Sequence, residues 1–436
     1  MYIVGGWVRD KVLGIHSHDI DIMITGISII SLYHKLADYI KSQKPHSNAI
    51  QGYNFWLKNP EKCKSNDTLM LKMHNIEMQI LNPRSVPSDS SIIGVEQLVE
   101  DAKGRDFTVN ALFYEVKSGI VLDLTGKGLS DVSQRLLRTP LEPMVTFSHD
   151  PIRILRGVRF LAKFPDFRIT EEIKDFMLND TEKGKLLSYV SRERIHMELQ
   201  SLLNGPSPKV GVKYLCTFNL HNILFSSKTE LKYLWNAQET NLSRNIISKL
   251  TQKSVLPEER EAYYLSALFL PLTLKSGTLP FSKFQMREEW RMDTKTVNNI
   301  ELWCSSWKKM DSFYEQFLSA NQEMSLQQVA SVGMFLRELG PSWEIVKEFC
   351  AIMRKEKEGD SGLDKWEPFI QQLQAHNLIG VNPIWTMKPY YNGGELKAFG
   401  FVGKQIQKML EMQIEWLIIH PQASKEDCYQ WIIKNK

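Results

Sequence analysis

Residues 2–24 have the sequence YIVGGWVRDKVLGIHSHDIDIMI, and this stretch decides the fold. The apolar run at positions 2–4 is followed by Gly5 and Gly6, a pattern that predicts a strand, a tight turn and the start of a helix. Such a turn lets backbone N–H groups approach a phosphate closely, and Arg9 could add a cationic fork for phosphate oxygens. A Gly-Gly pair alone is also compatible with a turn that binds no ligand.

Asp19 and Asp21 flank Ile20 at the end of the same stretch. Residues i and i+2 of a strand point to the same face, so the two carboxylates are expected to project together. Adjacent carboxylates repel each other unless a cation lies between them, and the hard divalent cations that act on phosphates prefer such oxygen ligands. An isolated Asp-x-Asp would indicate a solvated pair, but the glycine turn just upstream favours a metal site.

The composition restricts the class of protein. The chain has 436 residues, 43% of them hydrophobic and 24% charged, which are values typical of globular proteins with two or three domains. The net charge of +4 does not by itself indicate a nucleic-acid binder, so any basic face must come from local clustering. Five scattered Cys residues without a CxxC fit an intracellular, reducing compartment.

No apolar run approaches the roughly 20 residues that a transmembrane helix needs, so no membrane partner is expected. No targeting segment is visible in this chain, because Met1 leads directly into the first apolar run. If the source is eukaryotic, the cytoplasm, the nucleus and the mitochondrion are all compatible locations.

The hydrophobic pattern divides the chain into two parts. Short alternating or apolar runs predict strands at 20–24, 75–81, 111–116 and 120–122. A helix is predicted over residues 28–42. After residue 150, three- and four-residue spacing predicts helices, as in Val329, Val332, Phe335, Leu336 and Leu339. The fold class is therefore predicted as α+β followed by an all-helical region. Breaks are expected at 204–208, 255–257 and 355–362.

The pairing of GGWVRD at 5–10 with DID at 19–21 resembles the signature of the class II polymerase-β-type nucleotidyltransferases. More narrowly, it is similar to the tRNA nucleotidyltransferase (CCA-adding) and poly(A) polymerase family. The resemblance implies a polymerase-β-like head in which Asp19 and Asp21 hold divalent metals for nucleotidyl transfer. Its ordered motifs cover roughly residues 2–203, and weaker similarity at 393–396 and 415–416 looks like the family's tail.

GRDFTVNALF at 104–113 resembles the family's RRDFTxNA motif, with Gly104 in place of the first Arg. The resemblance implies that Arg105, Asp106 and Asn110 contact the incoming nucleotide, with Asp106 on the ribose side. These roles suit the chemistry, because a guanidinium binds a triphosphate and a carboxylate accepts from ribose hydroxyls. From the residues alone, Arg105 and Asp106 could also form a surface ion pair of little energetic value.

LDLTGKGLSD at 122–131 looks like the family's hinge between head and neck. Two glycines suit a segment that absorbs backbone change, although an ordinary turn after a strand would use the same residues. The form of this stretch, together with 59–64 and 136–141, is closest to the fungal-type branch of the family.

DPIRILRGVRF at 150–160 is the most specific match. Asp150, Arg153 and Arg156 follow at i, i+3 and i+6, which keeps them on one side of a helix. The family uses this Asp and Arg as an amino-acid template whose hydrogen-bonding edges select C or A, and Arg156 would orient them or contact phosphates. His149 stands where the family usually has an acidic residue. The alternative is that Asp150 only caps the helix and the arginines are solvated.

SRERIHMEL at 191–199 resembles the last shared motif, which is expected to steady the neck helices. Arg194 and Glu198 are four residues apart and could bridge along one helix.

A third carboxylate near the metals is often present in the family, and Gln79 occupies that position here. Glu77 lies on the same strand face and is a candidate replacement as a metal ligand. A neutral Gln would weaken metal binding.

These motifs together predict a template-independent enzyme that adds C, C and A to tRNA 3′ ends from CTP and ATP, with two Mg²⁺ ions. The predicted domains are a catalytic head at 1–140, a helical neck with the nucleotide-selecting motif at 141–205, and a tRNA-binding helical body and tail at 206–436. The predicted nucleotide-binding residues are Gly5, Gly6, Arg9, Arg105, Asp106, Asn110, Asp150, Arg153 and Arg156. Alternatives are a partial enzyme that adds only CC or A, a poly(A) polymerase, and a catalytically weak tRNA-binding protein.

Overall fold

The computed structural model describes two compact units, Met1–Tyr233 and Leu234–Lys436. The described residues are 1–17, 19–42, 50–56, 68–83, 95–226, 234–274, 276–358 and 366–436. The fungal-type stretch at 59–64 lies outside these residues, as does the part of the expected break at 355–362 that follows residue 358. The finer division into head, neck and body stays a prediction.

The first unit is built on a mixed sheet that has seven strands in the described part of the chain. They are β1 (Tyr2–Val4), β2 (Ile20–Met23), β3 (Ile50–Trp56), β4 (Thr68–Met73), β5 (Ile76–Leu81), β6 (Leu112–Glu115) and β7 (Ile120–Asp123). Their order is β3-β4-β5-β2-β1-β6-β7, and β2 pairs with β5 in parallel while the other neighbours are antiparallel. The five strands predicted from the sequence, at 2–4, 20–24, 75–81, 111–116 and 120–122, are confirmed as β1, β2, β5, β6 and β7.

The core of this sheet forms around β1, its short central strand. Val4 pairs with Asp21 of β2 on one side and with Phe113 of β6 on the other. Val4, Met23 and Phe113 are buried together with Leu98 and Ala102. The helices of this region are α1 (Gly6–Val12), α2 (Ile29–Ser42) and α3 (Val95–Lys103), and a 3₁₀ turn spans Thr108–Asn110. Because β1 is fully paired, the turn that follows it is held at the carboxyl end of the strand.

The remainder of the first unit is mostly helical. Its helices are α4 (Gly128–Ser133), α5 (Pro143–His149), α6 (Arg153–Lys163), α7 (Glu171–Leu178), α8 (Asp180–Ser188), α9 (Arg192–Leu203), α10 (Pro208–Thr217) and α11 (Leu220–Leu224). Helix α6 packs against α9 and α10. The all-helical prediction after residue 150 missed one element, because β8 (Leu136–Leu137) pairs in parallel with β9 (Arg168–Ile169). Two-residue strands carry too little periodicity to be detected in a sequence.

The second unit is helical throughout its described residues, apart from turns and connecting segments. Its helices are α12 (Ala237–Lys249), α13 (Arg260–Phe269), α14 (Thr294–Ser319), α15 (Leu326–Leu339), α16 (Trp343–Glu358), α17 (Trp366–Ala375), α18 (Gly393–Ala398), α19 (Lys404–Ile419) and α20 (Lys425–Lys434). The apolar positions that predicted α15 are all buried. In the parts of the chain that the structure describes, no helix has the length and apolar character of a membrane span.

The expected breaks at 204–208 and 255–257 both fall between helices, as predicted. The first separates α9 from α10, and the second separates α12 from α13. Side-chain caps help to fix several helix starts in the second unit, because Asp293, Ser325 and Ser424 each accept a hydrogen bond from a backbone N–H of the first turn.

Gly128→Ala is expected to lower the free energy of unfolding by about 1–3 kcal/mol. A Cβ at this position would lie 2.8 Å from the Thr108 carbonyl oxygen and 2.8 Å from Leu112 Cδ2. Urea unfolding measures the change. Gly52→Ala is the matched control, since a Cβ there meets nothing within 4 Å; its effect should stay within about 0.5 kcal/mol. Equal losses in the two variants would contradict the close packing at Gly128.

Candidate active site

The glycine turn after β1 faces a cation on one side and a carboxylate on the other. Gly5 has φ +75° and ψ −136°, a backbone conformation that side chains rarely adopt. A Cβ at Gly5 would lie 3.2 Å from Arg105 Nη1 and 3.8 Å from Asp21 Oδ2. Only glycine therefore leaves the space between these two charged groups open.

This turn forms part of a cleft of about 800 Å³ in the first unit. The cleft brings together eleven of the twelve site residues predicted from the sequence: Gly5, Gly6, Arg9, Asp19, Asp21, Arg105, Asp106, Asn110, Asp150, Arg153 and Arg156. It is also lined by His149, Arg159, Lys163 and Arg194. Residues as far apart in the sequence as Gly5 and Arg194 thus share one charged cavity, although the role of each remains a prediction.

The two aspartates reach the cleft from the amino end of β2. Asp21 is half-buried and Asp19, just before the strand, is exposed. Mg²⁺ in phosphoryl-transfer sites commonly uses one or two carboxylates together with substrate phosphates and water. The two carboxylates beside the open space at Gly5 therefore suit a hard divalent cation, and Asp19 and Asp21 are the residues that would hold it.

Glu77 is the predicted site residue that the structure does not bring into the cleft. Its exposed carboxylate lies 3.4 Å from Lys72 Nζ of the neighbouring strand β4. The neutral Gln79 is in parallel register with Asp21, so Gln79 is the β5 residue adjacent to this aspartate. The described residues contain no cluster of three or more acidic, His or Cys side chains suited to a metal.

The sequence suggested that the Arg9 guanidinium is free to bind phosphate oxygens, but the structure shows Arg9 held by several contacts. Its buried guanidinium donates to Asp10 Oδ1 through Nε at 2.8 Å and to the side-chain oxygen of Asn110. It also lies 5.2 Å from the Phe160 ring and 4.9 Å from the Phe164 ring. Burial lowers the pKa of Arg9. Asp10 was missed at the sequence level, although it directly follows Arg9 in the motif.

Asp106 is surrounded by donors on both carboxylate oxygens. Oδ1 accepts from Phe107 N at 2.9 Å and from Asn110 Nδ2 at 3.1 Å. Oδ2 accepts from Arg156 Nε at 2.9 Å and lies 2.8 Å from Arg156 Nη2. Burial acts to raise the pKa of Asp106, but Arg156, Asn110, Arg153 and the Phe107 N–H outweigh burial and hold it well below its usual range.

Arg105 and Asp106 are therefore not the surface ion pair that the sequence left open. Both are buried, and each has its own partner. Arg105 Nε donates to Asp101 Oδ2 at 3.0 Å, and Nη1 donates to the Asn110 carbonyl at 3.2 Å. Asp101 lies on α3 and Arg105, four residues later, lies beyond its end; this spacing could have identified Asp101 as a partner.

Arg153 contacts main-chain oxygens in this structure. It is buried, and its Nη2 donates to the Gly104 carbonyl at 2.6 Å, while Nη1 donates to the carbonyls of Arg105 at 3.3 Å and Thr146 at 3.2 Å. The alternative of a solvated arginine is wrong for Arg153. Gly104, which replaces the family's Arg, thus supplies an acceptor that links α3 to α6.

Asp150 lies at the end of α5 and accepts from Arg194 Nη2 of α9 at 2.8 Å. No side chain caps the start of α6, so the expected alternative of Asp150 as a helix cap is not observed. Glu198, one turn beyond Arg194, accepts from Arg159 Nε at 2.6 Å and lies 3.9 Å from Arg156 Nη1. Arg194 and Glu198 thus connect α9 to the cleft.

Two profiles of known families match this unit. The Poly A polymerase head domain matches residues 1–138, and the probable RNA and SrmB-binding site of polymerase A matches residues 166–231. Together with the glycine turn, the aspartate pair and the charged cleft, these matches define the chain as a nucleotidyltransferase.

Relatives across the whole chain narrow this class. The chain is 28% identical to tRNA nucleotidyltransferase cca1 of Schizosaccharomyces pombe, over 97% of this chain and 89% of the relative. It is also 28% identical to the mitochondrial CCA tRNA nucleotidyltransferase of Candida glabrata, over 99% of this chain and 89% of the relative. A solved CCA-adding enzyme in complex with CTP has the same fold, with a TM-score of 0.66 at 22% identity, covering 100% of this chain and 90% of that one. The chain is a member of the tRNA nucleotidyltransferase and poly(A) polymerase family.

Arg156→Gln is expected to lower stability at neutral pH by about 1–2 kcal/mol, because a buried carboxylate loses its charged partner at a partly exposed site. The pKa of Asp106 in the folded protein lies below its ordinary value of 3.8. The pair therefore stabilises the fold above about pH 4, and this contribution is lost as the pH falls through the folded-state pKa. Urea unfolding between pH 3 and pH 7 measures the difference.

The matched control for this experiment is Arg168→Gln, which removes an exposed arginine outside the cleft. Its stability should follow the wild type at every pH. Loss of Arg156 is expected to raise the folded-state pKa of Asp106, so the deficit of Arg156→Gln should stay constant or shrink as the pH falls. A deficit that grew toward pH 3 would contradict this role of Arg156.

Proposed function

We propose that this protein adds C, C and A to tRNA 3′ ends from CTP and ATP without a nucleic-acid template. The single observation that carries the proposal is the cleft, in which a glycine turn, an aspartate pair and the Asp150–Arg156 segment surround one cavity of nucleotide size. The names of the two fungal relatives, which align with nearly the whole chain, support tRNA as the substrate.

The residues of the cleft have separate roles in this reaction. The backbone at Gly5 and Gly6 and the guanidinium of Arg105 hold the phosphates of the incoming nucleotide. Two Mg²⁺ ions at Asp19 and Asp21 would, when bound, activate the attacking 3′-hydroxyl and neutralise charge on the triphosphate.

Asp106 serves the ribose in this proposal, but its oxygens already have donors. A carboxylate offers about four lone-pair sites, and four donor nitrogens lie within 3.1 Å of its oxygens. A ribose hydroxyl therefore replaces one donor, and Arg156 is the donor that can leave, since its side chain is 41% exposed. Arg156 is then free to turn toward the base or the phosphates.

Asp150 and Arg153 choose the base. An aspartate accepts from the exocyclic amine of C or A, and an arginine donates to ring acceptors, so the pair favours these bases over U and G. Asp150 is half-exposed and oriented by Arg194, whereas Arg153 must exchange a carbonyl partner for the base.

A catalytically weak tRNA-binding protein is the second candidate, and one observation favours it. Gln79 rather than an acidic residue lies beside Asp21, which removes a negative charge near the metals. Addition of only CC or only A, or of poly(A), would use the same cleft. Metal-dependent incorporation of CTP and then ATP into a tRNA that lacks CCA distinguishes all of these activities.

The location proposed is a reducing compartment, whether cytoplasm, nucleus or mitochondrion. Cys216, Cys304, Cys350 and Cys428 are free and buried, which suits a protein that needs no disulfide. Cys63 lies outside the described residues.

Asp21→Asn and Asp19→Asn are each expected to lower incorporation of CTP and ATP alike by at least about 100-fold, because both nucleotides would use one metal centre. Incorporation of radiolabelled nucleotide into tRNA lacking CCA, with Mg²⁺ in excess, measures the effect. Asp166→Asn is the control, since Asp166 is exposed and pairs with Arg135 away from the cleft. Near-normal incorporation by either cleft variant would refute the metal assignment.

Asp150→Asn is expected to raise misincorporation of UTP or GTP by about one to two orders of magnitude, because one bidentate edge is worth roughly 1–3 kcal/mol of discrimination. Competition among the four nucleotides at equal concentration measures the selectivity. Ser148→Ala, at an exposed position of α5 two residues before Asp150, should retain the normal choice of nucleotide. A uniform loss of activity with selectivity intact would show that Asp150 has a structural role.

A further inference from the structure

Helix α6 lines the cleft with four basic residues that are ordered along its axis. They are Arg153, Arg156, Arg159 and Lys163. With a rise of about 1.5 Å per residue, Lys163 lies roughly 15 Å from Arg153 along the helix. The charged side of the helix therefore extends well beyond the segment that the sequence assigned to the nucleotide.

The partners of these residues show which part of the nucleotide each position faces. Arg153 begins the helix beside Asp150, the proposed base-selecting residue. Arg156 contacts Asp106, the proposed ribose ligand. Lys163 Nζ lies 3.6 Å from Asp10 Oδ2, on the helix α1 that begins at the glycine turn. The helix thus runs from the base end of the site to its phosphate end.

Lys163 differs from Arg153 in having N–H donors to offer. Its separation from Asp10 is longer than a hydrogen bond, and its side chain is 46% exposed. The other oxygen of Asp10 is bound by Arg9. An ammonium carries three hydrogens, and it binds phosphate as a compact point charge. Arg153, by contrast, donates to three carbonyls.

We propose that Lys163 binds the terminal phosphates of the incoming nucleoside triphosphate. The proposal rests on the proposed function and adds to it a phosphate ligand from α6, beside the helix that begins at the glycine turn. Asp10 binds Arg9 through Oδ1 and lies near Lys163 through Oδ2, so its charge positions the ammonium without using its hydrogen-bond donors. The contribution of Lys163 to affinity therefore depends on the number of phosphates that a ligand carries and does not depend on its base.

The experiment is an equilibrium binding measurement on the full chain without tRNA, so that no transfer occurs. The ligands are CTP, CMP and inorganic tripolyphosphate in the presence of Mg²⁺. Lys163→Gln is expected to weaken CTP and tripolyphosphate about 5- to 30-fold, the range for losing one charged hydrogen bond at a half-exposed site. CMP should change less than about 2-fold, and Lys163→Arg should restore most of the affinity.

Lys174→Gln is the matched control, because Lys174 is also half-exposed and pairs with Glu171 outside the cleft. It should bind all three ligands as the wild type does. A structural role for the Lys163–Asp10 pair would instead lower the melting temperature and weaken CTP and CMP equally, and this result overturns the proposal. Unchanged CTP binding in Lys163→Gln, or the same loss in Lys174→Gln, also overturns it. A wild type that bound CTP no better than CMP would count against the proposed function itself.

Discussion

The buried carboxylate of Asp106 is the constraint on which the cleft depends. An ionised carboxylate is costly to bury unless donors surround it, and here they come from the 3₁₀ turn after α3 and from Arg156 of α6. This carboxylate thus connects the sheet-bearing segment of the first unit to its helical segment. Asn110 extends the connection, because its amide donates to Asp106 while its oxygen accepts from Arg9. Arg9, Asn110, Asp106 and Arg156 consequently form one polar network within the cleft.

The sheet supplies the other half of the site through strand register. Val4 pairs with Asp21, so the residue that follows β1, Gly5, is placed beside that aspartate. A shift of one residue would turn the carboxylate to the opposite face and remove it from the turn. The short strand β1 therefore has to be paired on both sides, and its burial with Met23 and Phe113 provides the stability that the turn itself lacks.

Much of this arrangement could be predicted from the sequence, because period-two and period-three-to-four patterns report backbone geometry directly. Such patterns predicted the strands around Asp21, the helix that carries Arg153 and Arg156, and the buried positions of α15. The partners of the charged residues could not be predicted in the same way. Glu198 meets Arg159 through tertiary packing, whereas Asp10 directly follows Arg9 and Asp101 lies four residues before Arg105. Of these pairs, only Asp101 and Arg105 have a spacing that signals an ion pair in the sequence. No sequence pattern predicts the hydrogen bonds from Arg153 to three carbonyls, since any backbone oxygen can accept a hydrogen bond.

The donors around Asp106 also bear on how tightly any ligand can bind. A site whose recognition groups are already satisfied by one another is competent only for the fraction of time in which those internal contacts are open. The apparent dissociation constant is the intrinsic constant divided by that fraction. A ligand that replaces a single internal contact gains almost no net binding free energy. A ligand that replaces several contacts at once recovers the free energy that is spent on opening them. Because its charged groups are paired with one another, the cleft therefore favours the binding of complete substrates over the binding of their fragments.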